Sequence, residues 1–387
     1  MSRLNINNLT NENEDGSPRI SGISTFSSAH YFVPPSGTTA ERPSDPGEGM
    51  IRFNTDSGHL EYYTGEFWDD VIVNNYQIGI STNPAGTSGG LGHRAFFAGG
   101  QTPGNVDVID FITISTLGDA QDFGTLTSAK QRTAACASNV TGIIAGGYTT
   151  GFESQVESIT FASTGDAVDT SGDLTVARNR LSSCSNQTRG LFLGGNTGPS
   201  MDTIDYITIS SAATVVDFGN LSAGRQGCRA IASAVRGVCA GGLTGSTSPY
   251  TYVNIIEYVT IASTGDAQYF GDLTRNTAME TASASNSTRG IFAGGYNPSS
   301  AYYNEIDFIT TATTGNAQDF GDLTVARADF DGTSSPTRAI FGGGETGSRS
   351  NVIDYVQISS TGNAQDFGDL TVTRRANSSS SNGHGGL

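Results

Sequence analysis

The chain has 387 residues, 20 of them basic and 37 acidic, which gives a formal charge of −17. That balance argues against a nucleic-acid partner, which would require a basic stripe, and favours solubility and weak adhesion to anionic surfaces. No apolar run reaches the ~18 residues of a membrane helix, so no membrane insertion is expected.

In chain order, residues 1–30 begin "MSRLNINNLTNENEDGSPRISG", polar and rich in Asn. No charged stretch leads into an apolar one, so the segment reads as an extended arm and not as a signal peptide. Residues 31–86 differ. Pro34, Pro35, Pro43 and Pro46 hold the first part extended. From Met50 onward, "MIRFNT", "HLEYYT" and "FWDDVIV" alternate with the turn signals "DSG" and "GE", the pattern of a small β-meander. About 30 residues bury little core alone, so this module is expected to lean on other chains. A homotrimer would supply them as sister copies; a single copy would take them from several different proteins.

Residues 87–387 are repetitive. The phrases "HRAFFAGGQ", "VTGIIAGGY", "TRGLFLGGN", "VRGVCAGGL", "TRGIFAGGY" and "TRAIFGGGE" place second glycines at Gly100, Gly147, Gly195, Gly242, Gly295 and Gly344. Steps of 47, 48, 47, 53 and 49 residues separate them, and 43 residues follow the last, which makes six units. A period of about 50 is too long for leucine-rich or ankyrin repeats and suits a four-stranded propeller blade.

Within each unit a small-residue segment leads into the apolar run before the diglycine. A variable loop follows, then a β-branched and aromatic run such as "TIDYITIS", a Thr-Gly-Asp or Thr-Gly-Asn turn, and a phrase close to "AQDFGDLTVAR". This is strand-and-turn chemistry, with no apolar stripe at helical spacing. Apolar side chains at successive positions of "IDYITI" point to both sides of the strand, which suits a sheet packed between two neighbours. Glycine admits conformations closed to other residues and allows close backbone approach, which fits a sharp exit from the second strand. The first unit starts almost at its diglycine strand, while "RRANSSSSNGHGGL" at the C-terminus looks like a lead-in without one. Residues 375–381 are therefore expected beside "RAFFAGG", closing the fold without an open edge. The glycine-rich "GTSGGLGH" before Arg94 competes for that place.

The order of hydrophobic run, diglycine, variable loop, aromatic run and basic residue resembles the kelch repeat over residues 93–387. The usual kelch tryptophan is missing. Phe123, Phe218, Phe270, Phe320 and Phe367 stand near its place, the second unit has Thr170 there, and the only Trp is Trp68. The resemblance implies an all-β fold, a six-bladed kelch-like β-propeller preceded by the extended arm and the small β-meander. A second resemblance lies in the front module. Pro46 to Thr55 ("PGEGMIRFNT") and Tyr63 to Trp68 ("YTGEFW") are similar to a segment near the attachment end of fibre-like virion proteins of tailed bacteriophages, especially contractile-tailed phages of marine cyanobacteria. This implies a structural protein located on the virion, joined through residues 1–86 to other virion proteins, with Arg52, Phe53, Tyr63 and Trp68 as attachment candidates. A tail or tail-tip fibre that touches the host is the favoured role. A head fibre or decoration, a collar and a baseplate component are the alternatives, and a kelch-type enzyme is a remote one.

Catalytic chemistry is not expected. The histidines, His30, His59, His93 and His384, have no triad partners and no zinc spacing. Copper oxidases among kelch-type propellers need a Tyr/His/Cys ligand set that is not recognisable here. Asp-Phe-Gly recurs without a phosphate loop, and the diglycines lack a following Gly-Lys-Ser/Thr. Cys136, Cys184, Cys228 and Cys239 make no Cys-x-x-Cys pair and read as small buried residues, a disulfide or metal site being the alternative. Asp266, Asp272, Asp319 and Asp322 could gather Ca²⁺ but lack the dense alternation of a calcium loop. No cofactor or metal is expected. Arg94, Arg189, Arg236, Arg289 and Arg338, with Thr141 breaking the series, are expected to pair with the recurring acids Asp110, Glu157, Asp205, Glu257, Asp307 and Asp354, a ring of anion-capturing arginines being the alternative. The loops "LTGSTSPYTYVN" and "YNPSSAYYNE" bring Tyr250, Tyr252, Tyr296, Tyr302 and Tyr303 to neighbouring units. Tyrosines amid Ser, Asn and Gly suit an adaptable binding surface, here for a host cell-surface glycan or protein; ordinary packing on their own unit is the alternative.

Overall fold

The computed structural model describes residues 34–57, 59–70, 93–245, 250–275, 281–297 and 301–387. Contacts divide the chain into two compact units, Met1–Asn75 and Tyr76–Leu387. Among the described residues there are strands, turns and one 3-10 turn at Thr39–Glu41, and no α-helix. The fold is all-β. The arm (1–30), the end of "FWDDVIV" and "GTSGGLG" (86–92) lie outside the described residues.

In the front unit, Ile51–Asn54, His59–Tyr63 and Trp68–Asp70 follow one another as an antiparallel meander. Ser36–Gly37 adds a parallel edge to Phe53 and Asn54. Two residues carry no periodicity, so the sequence offered no sign of that fourth strand.

The described residues of the larger unit form six four-stranded antiparallel sheets, in which successive strands are neighbours once the short two-stranded ribbons in the loops are set aside. The first sheet is the exception, built from both ends: Ser378–Ser381, Arg94–Ala98, Val108–Thr113 and Gln121–Thr125 in that order. Ser378 lies opposite Ala98 and Ser381 opposite Ala95. The second sheet is regular, with Ala134–Ala137, Thr141–Ala145, Gln155–Thr160 and Val168–Asp173. Sheets three to six begin at Ser182–Ser185, Arg229–Ala232, Ala282–Ser285 and Asp331–Ser334. Each of these first strands touches the first strands of the sheets before and after it, and Ser378–Ser381 touches both Asp331–Ser334 and Ala134–Ala137. The order of contact is cyclic.

Small residues make that contact possible. Serine hydroxyls on one first strand donate to carbonyls on its neighbour: Ser183 to Ala135, Ser185 to Ala137, Ser283 to Ala230, Ser285 to Ala232, Ser334 to Ser285 and Ser381 to Ser334. Buried hydroxyls are thereby satisfied. Further out, adjacent residues serve opposite neighbours. Phe96 packs with Ile144, Ile159 and Phe161 of sheet two, whereas Phe97 packs with Ile340, Ile353 and Tyr355 of sheet six. This two-sided burial is what the unbroken apolar runs encode.

Ionic pairing follows a different scheme from the expected one. The third-strand acids meet the basic residue of the connection between sheets: Asp110 with Arg374 at 3.0 Å, Glu157 with Lys130 at 3.1 Å, Asp205 with Arg178 at 3.0 Å and Asp354 with Arg327 at 2.8 Å. Glu257 pairs with Arg225, and Asp307 lies 4.0 Å from Arg275. The arginines expected at those acids do something else. Their guanidinium groups cover the third-strand aromatic, Arg94 over Phe111 at 4.8 Å and Arg236 over Tyr258 at 4.6 Å, with Arg189, Arg289 and Arg338 alike. Each also donates Nη1 to a carbonyl of the next sheet: Arg94 to Phe161, Arg189 to Ile261, Arg236 to Thr311, Arg289 to Ile358 and Arg338 to Ile114. The reason is strand alternation. The acid is one residue from the aromatic and so faces the other side.

Beneath each of these aromatics lies the fourth-strand phenylalanine, edge-on, as in Phe111–Phe123 at 5.9 Å and Tyr258–Phe270 at 6.0 Å. Sheet two replaces the whole stack. Thr141 stands for the arginine, Ser158 for the aromatic and Thr170 for the phenylalanine, and the Thr170 hydroxyl donates to the Val156 carbonyl at 2.9 Å.

Candidate functional site

Every second strand of the larger unit ends on its diglycine. Gly99 and Gly100 have φ of +63° and +114°, a region that favours glycine. A Cβ on Gly99 would lie 2.6 Å from the Lys130 carbonyl oxygen, and one on Gly100 2.7 Å from that of Arg375. The chain thus leaves the sheet pressed against the connections between sheets. All the variable loops start from this one end.

Among the described residues three of those loops rise as short ribbons: Gln101–Thr102 paired with Gly104–Asn105, Leu243–Thr244 with Thr251–Tyr252, and Tyr296–Asn297 with Ala301–Tyr302. The last two bring together four of the five tyrosines read from the sequence. The Tyr296 and Tyr302 rings sit 5.2 Å apart, tilted by 44°. Tyr252 is half-buried, and its phenol is held above its ordinary pKa by burial first, then by the nearby phenols of Tyr296 and Tyr250. Tyr302 is likewise raised, by burial and then by the charge of the nearby Glu345 carboxylate. Tyr250 stays 40% exposed. Tyr303 does not join them: its ring packs under the Arg275 guanidinium at 5.1 Å, and its carbonyl accepts from the Arg327 amide at 3.0 Å.

Polar side chains that sequence reasoning missed flank this aromatic surface. On one side Arg180 donates Nη1 to Gln226 Oε1 at 3.2 Å, and the Gln226 backbone bridges to Leu243 at the base of the first ribbon. On the other, Glu345 bridges to Ala328 and pairs with Arg375, which also donates Nε to Gln101 Oε1 at 3.0 Å. Arg180 and Glu345 occupy loop and connection positions that vary between units, so repetition could not have marked them.

The opposite end of the first strands is stoppered by the chain itself. His384 Nε2 lies 2.9 Å from the Ala137 carbonyl oxygen and 3.1 Å from Ser185 Oγ. A side chain at Gly385 would run into the carbonyls of Asn286 and Ala232, and one at Gly386 into that of Ser185. Burial pushes the His384 imidazole down to about 4.

The front-unit candidates divide between two faces of one sheet. Arg52 is buried, donates Nη2 to the Thr38 carbonyl at 2.9 Å and lies 3.4 Å from Glu61. Glu61 is fully buried and receives Arg42 through both carboxylate oxygens and Asn54 through Oε2. Arg42 holds its carboxyl below the usual range in spite of burial. Tyr63 and Trp68 are cross-strand partners on this same face, with rings 5.5 Å apart. Phe53 faces the other way, among Ile51, Leu60 and Tyr62. That second face is exposed, with Ile51 at 53%, Tyr62 at 38% and Phe53 at 37%.

Among the described residues, no three His, Cys, Asp or Glu side chains converge as metal ligands. Asp266 accepts the Asn220 amide at 2.9 Å, which ties the turn of one sheet to the outer strand of the preceding one. The four cysteines are buried free thiols, and burial pushes Cys136 and Cys184 up, the latter to about 12. No described helix is long and apolar enough to cross a membrane. No protein-family model matches the chain, and none of the curated proteins does.

Proposed function

We propose that the six sheets are blades of a six-bladed kelch-like β-propeller, and that the chain is a structural component of a tailed-bacteriophage virion. In this reading it is a tail or tail-tip fibre protein, attached through residues 1–86 and presenting the propeller to a glycan on the host surface. The cyclic contact of the first strands supports the propeller. The exposed Ile51, Phe53 and Tyr62 support attachment, because a four-stranded module that shows its apolar face to solvent calls for a covering partner. The observation that carries the receptor role is the tyrosine surface on Leu243–Tyr252 and Tyr296–Tyr302, the two most aromatic departures from a regular repeat. Flat aromatic faces stack on sugar rings for about 1 kcal/mol each. Many copies on one particle multiply such weak contacts.

Two changes test this reading on assembled particles. Deleting residues 1–85 should leave a soluble six-sheet protein that no longer joins the virion. Changing Tyr250, Tyr252, Tyr296 and Tyr302 together to serine should leave incorporation intact and lower adsorption to host cells by tenfold or more, since several contacts of ~1 kcal/mol are lost at once. Normal incorporation of the truncated chain would refute the attachment role. Wild-type adsorption of the quadruple variant would refute the receptor role and favour a decoration, collar or baseplate component.

A further inference from the structure

Sheet four departs from the others at two core positions, one just before its first strand and one near the end of its second, Arg236–Ala240. In sheet three these positions hold Leu181 and Phe192, and in sheet six Phe330 and Phe341, each pair within a single apolar cluster. Sheet four has Cys228 and Cys239 there, again in one cluster. No other sheet has cysteine at either position. Cysteine is smaller than the residues of sheets three and six, so the double exchange gives up apolar volume and has no packing reason. The geometry supplies a chemical one. Cys239 lies opposite Ala230, so Cys228, two residues before Ala230, points to the same face and stands diagonal to Cys239. Both thiols are fully buried and free. Each also acts on the other. The neighbouring Cys239 holds the Cys228 thiol below its ordinary value in spite of burial, with the Arg225 and Arg229 guanidinium charges adding to the effect. Cys228 in turn raises Cys239. One thiol that ionises readily beside one that keeps its proton is the arrangement that thiol–disulfide exchange uses.

We infer that Cys228 and Cys239 are a redox pair, which closes to a disulfide by exchange with a small disulfide such as oxidised glutathione. The Cys228 thiolate attacks one glutathione sulfur and releases the other glutathione. The Cys239 sulfur then attacks Cys228 Sγ and releases the second. One S–S bond breaks and one forms, and the two cysteine protons end on the two glutathione thiols. Because both protein thiols are buried, the exchange takes place while the sheet is open, as the chain folds. Once closed, the bond ties the first strand of sheet four to the second, just before Gly241 and Gly242, from which the Leu243–Tyr252 ribbon starts. The pairing is independent of the glycan reading.

The test counts thiols, by alkylation and mass spectrometry, on the full chain produced in a reducing and in an oxidising cytoplasm. From the reducing cytoplasm all four cysteines should be alkylated. From the oxidising one only Cys136 and Cys184 should be, with Cys228 and Cys239 recovered as one cross-linked peptide. The oxidised chain should also melt a few degrees higher, because the bond constrains the unfolded state. Cys239→Ser should remove both the cross-link and the melting difference, whereas Cys136→Ser should keep both. Folded chain from the oxidising cytoplasm with four free thiols overturns the pairing, and so does a cross-link through Cys136 or Cys184. Should Cys239→Ser fail to fold, the cross-linked peptide of the wild-type chain decides alone.

Discussion

In the larger unit the adjacent residues Phe96 and Phe97 are both fully buried, each against a different neighbouring sheet. In the front unit the adjacent residues Arg52 and Phe53 divide the other way: the arginine is 6% exposed and the phenylalanine 37%. Each second strand of the six-sheet unit is covered by its own chain on both sides, so apolar residues can follow one another. Among the described residues of the front unit, the chain covers one face of the sheet and leaves the other exposed. That cover is the segment with Thr38 and Arg42, which needs polar partners, and it claims Arg52, Asn54 and Glu61. Which face of a sheet is apolar therefore does not tell which face its own chain covers.

The comparison can be broken most directly by removing one phenylalanine from each unit. Phe97→Ala leaves a cavity between two sheets and should cost about 3–5 kcal/mol in urea unfolding. Phe53→Ala, at an exposed position, should change the stability of the isolated chain by less than about 1 kcal/mol. In the virion role proposed above the ranking should reverse for assembly, with Phe53→Ala reducing incorporation. A loss of several kcal/mol from Phe53→Ala in the isolated chain would mean that the face is covered within the chain.

A pH titration sharpens the same contrast. His384 is depressed to about 4 in the folded state, against about 6.5 for a free imidazole. Its contribution is fully present above pH ~6.5 and is lost as pH falls toward 4, because only the unfolded chain takes up the proton. The loss is on the order of 3 kcal/mol. Glu61 is also depressed, but a carboxylate loses its contribution only once pH falls below about 4.3. Between pH 7 and 5, then, the six-sheet unit should weaken and the front unit should not. Subtracting the His384→Gln profile from that of the wild-type chain isolates the term. Parallel profiles would show that the stopper opens without cost.

What could be read in advance follows the same division. The diglycines, the all-β class and the pairing of the C-terminal Ser378–Ser381 with Arg94–Ala98 were legible because each motif recurs, so one unit interprets another. The arginine–acid pairing was misassigned. Sequence offered two basic series for one acidic series, and only alternation along the strand separates Arg94 from Arg374 as the partner of Asp110. The tyrosines were legible as a group, but Tyr303 was not separable from Tyr302, since adjacent residues on a ribbon face opposite ways. Arg180, Gln226 and Glu345 carried no signal, because their contacts join loops of different sheets. In the front unit the meander was visible, while the charged cluster around Glu61 was hidden, since a buried acid looks in sequence like any exposed one.

The smallest expected effect concerns the stack that sheet two lacks. Where arginine, third-strand aromatic and fourth-strand phenylalanine occur, they occur together; in sheet two Thr141, Ser158 and Thr170 replace all three. Joint loss makes sense if the members stabilise one another. The arginine gains from the ring beneath it, and without that ring a long side chain would be ordered for its carbonyl contacts alone. A double-mutant cycle on Arg236→Ala and Tyr258→Ala should therefore show a coupling of about 0.5–1 kcal/mol, the scale of a partly exposed cation–π pair. The single Arg236→Ala change also removes the hydrogen bonds to the Thr311 and Ala312 carbonyls, so it should cost more than the coupling itself. Additive single effects would reduce the stack to packing and leave the joint substitution in sheet two without a physical reason.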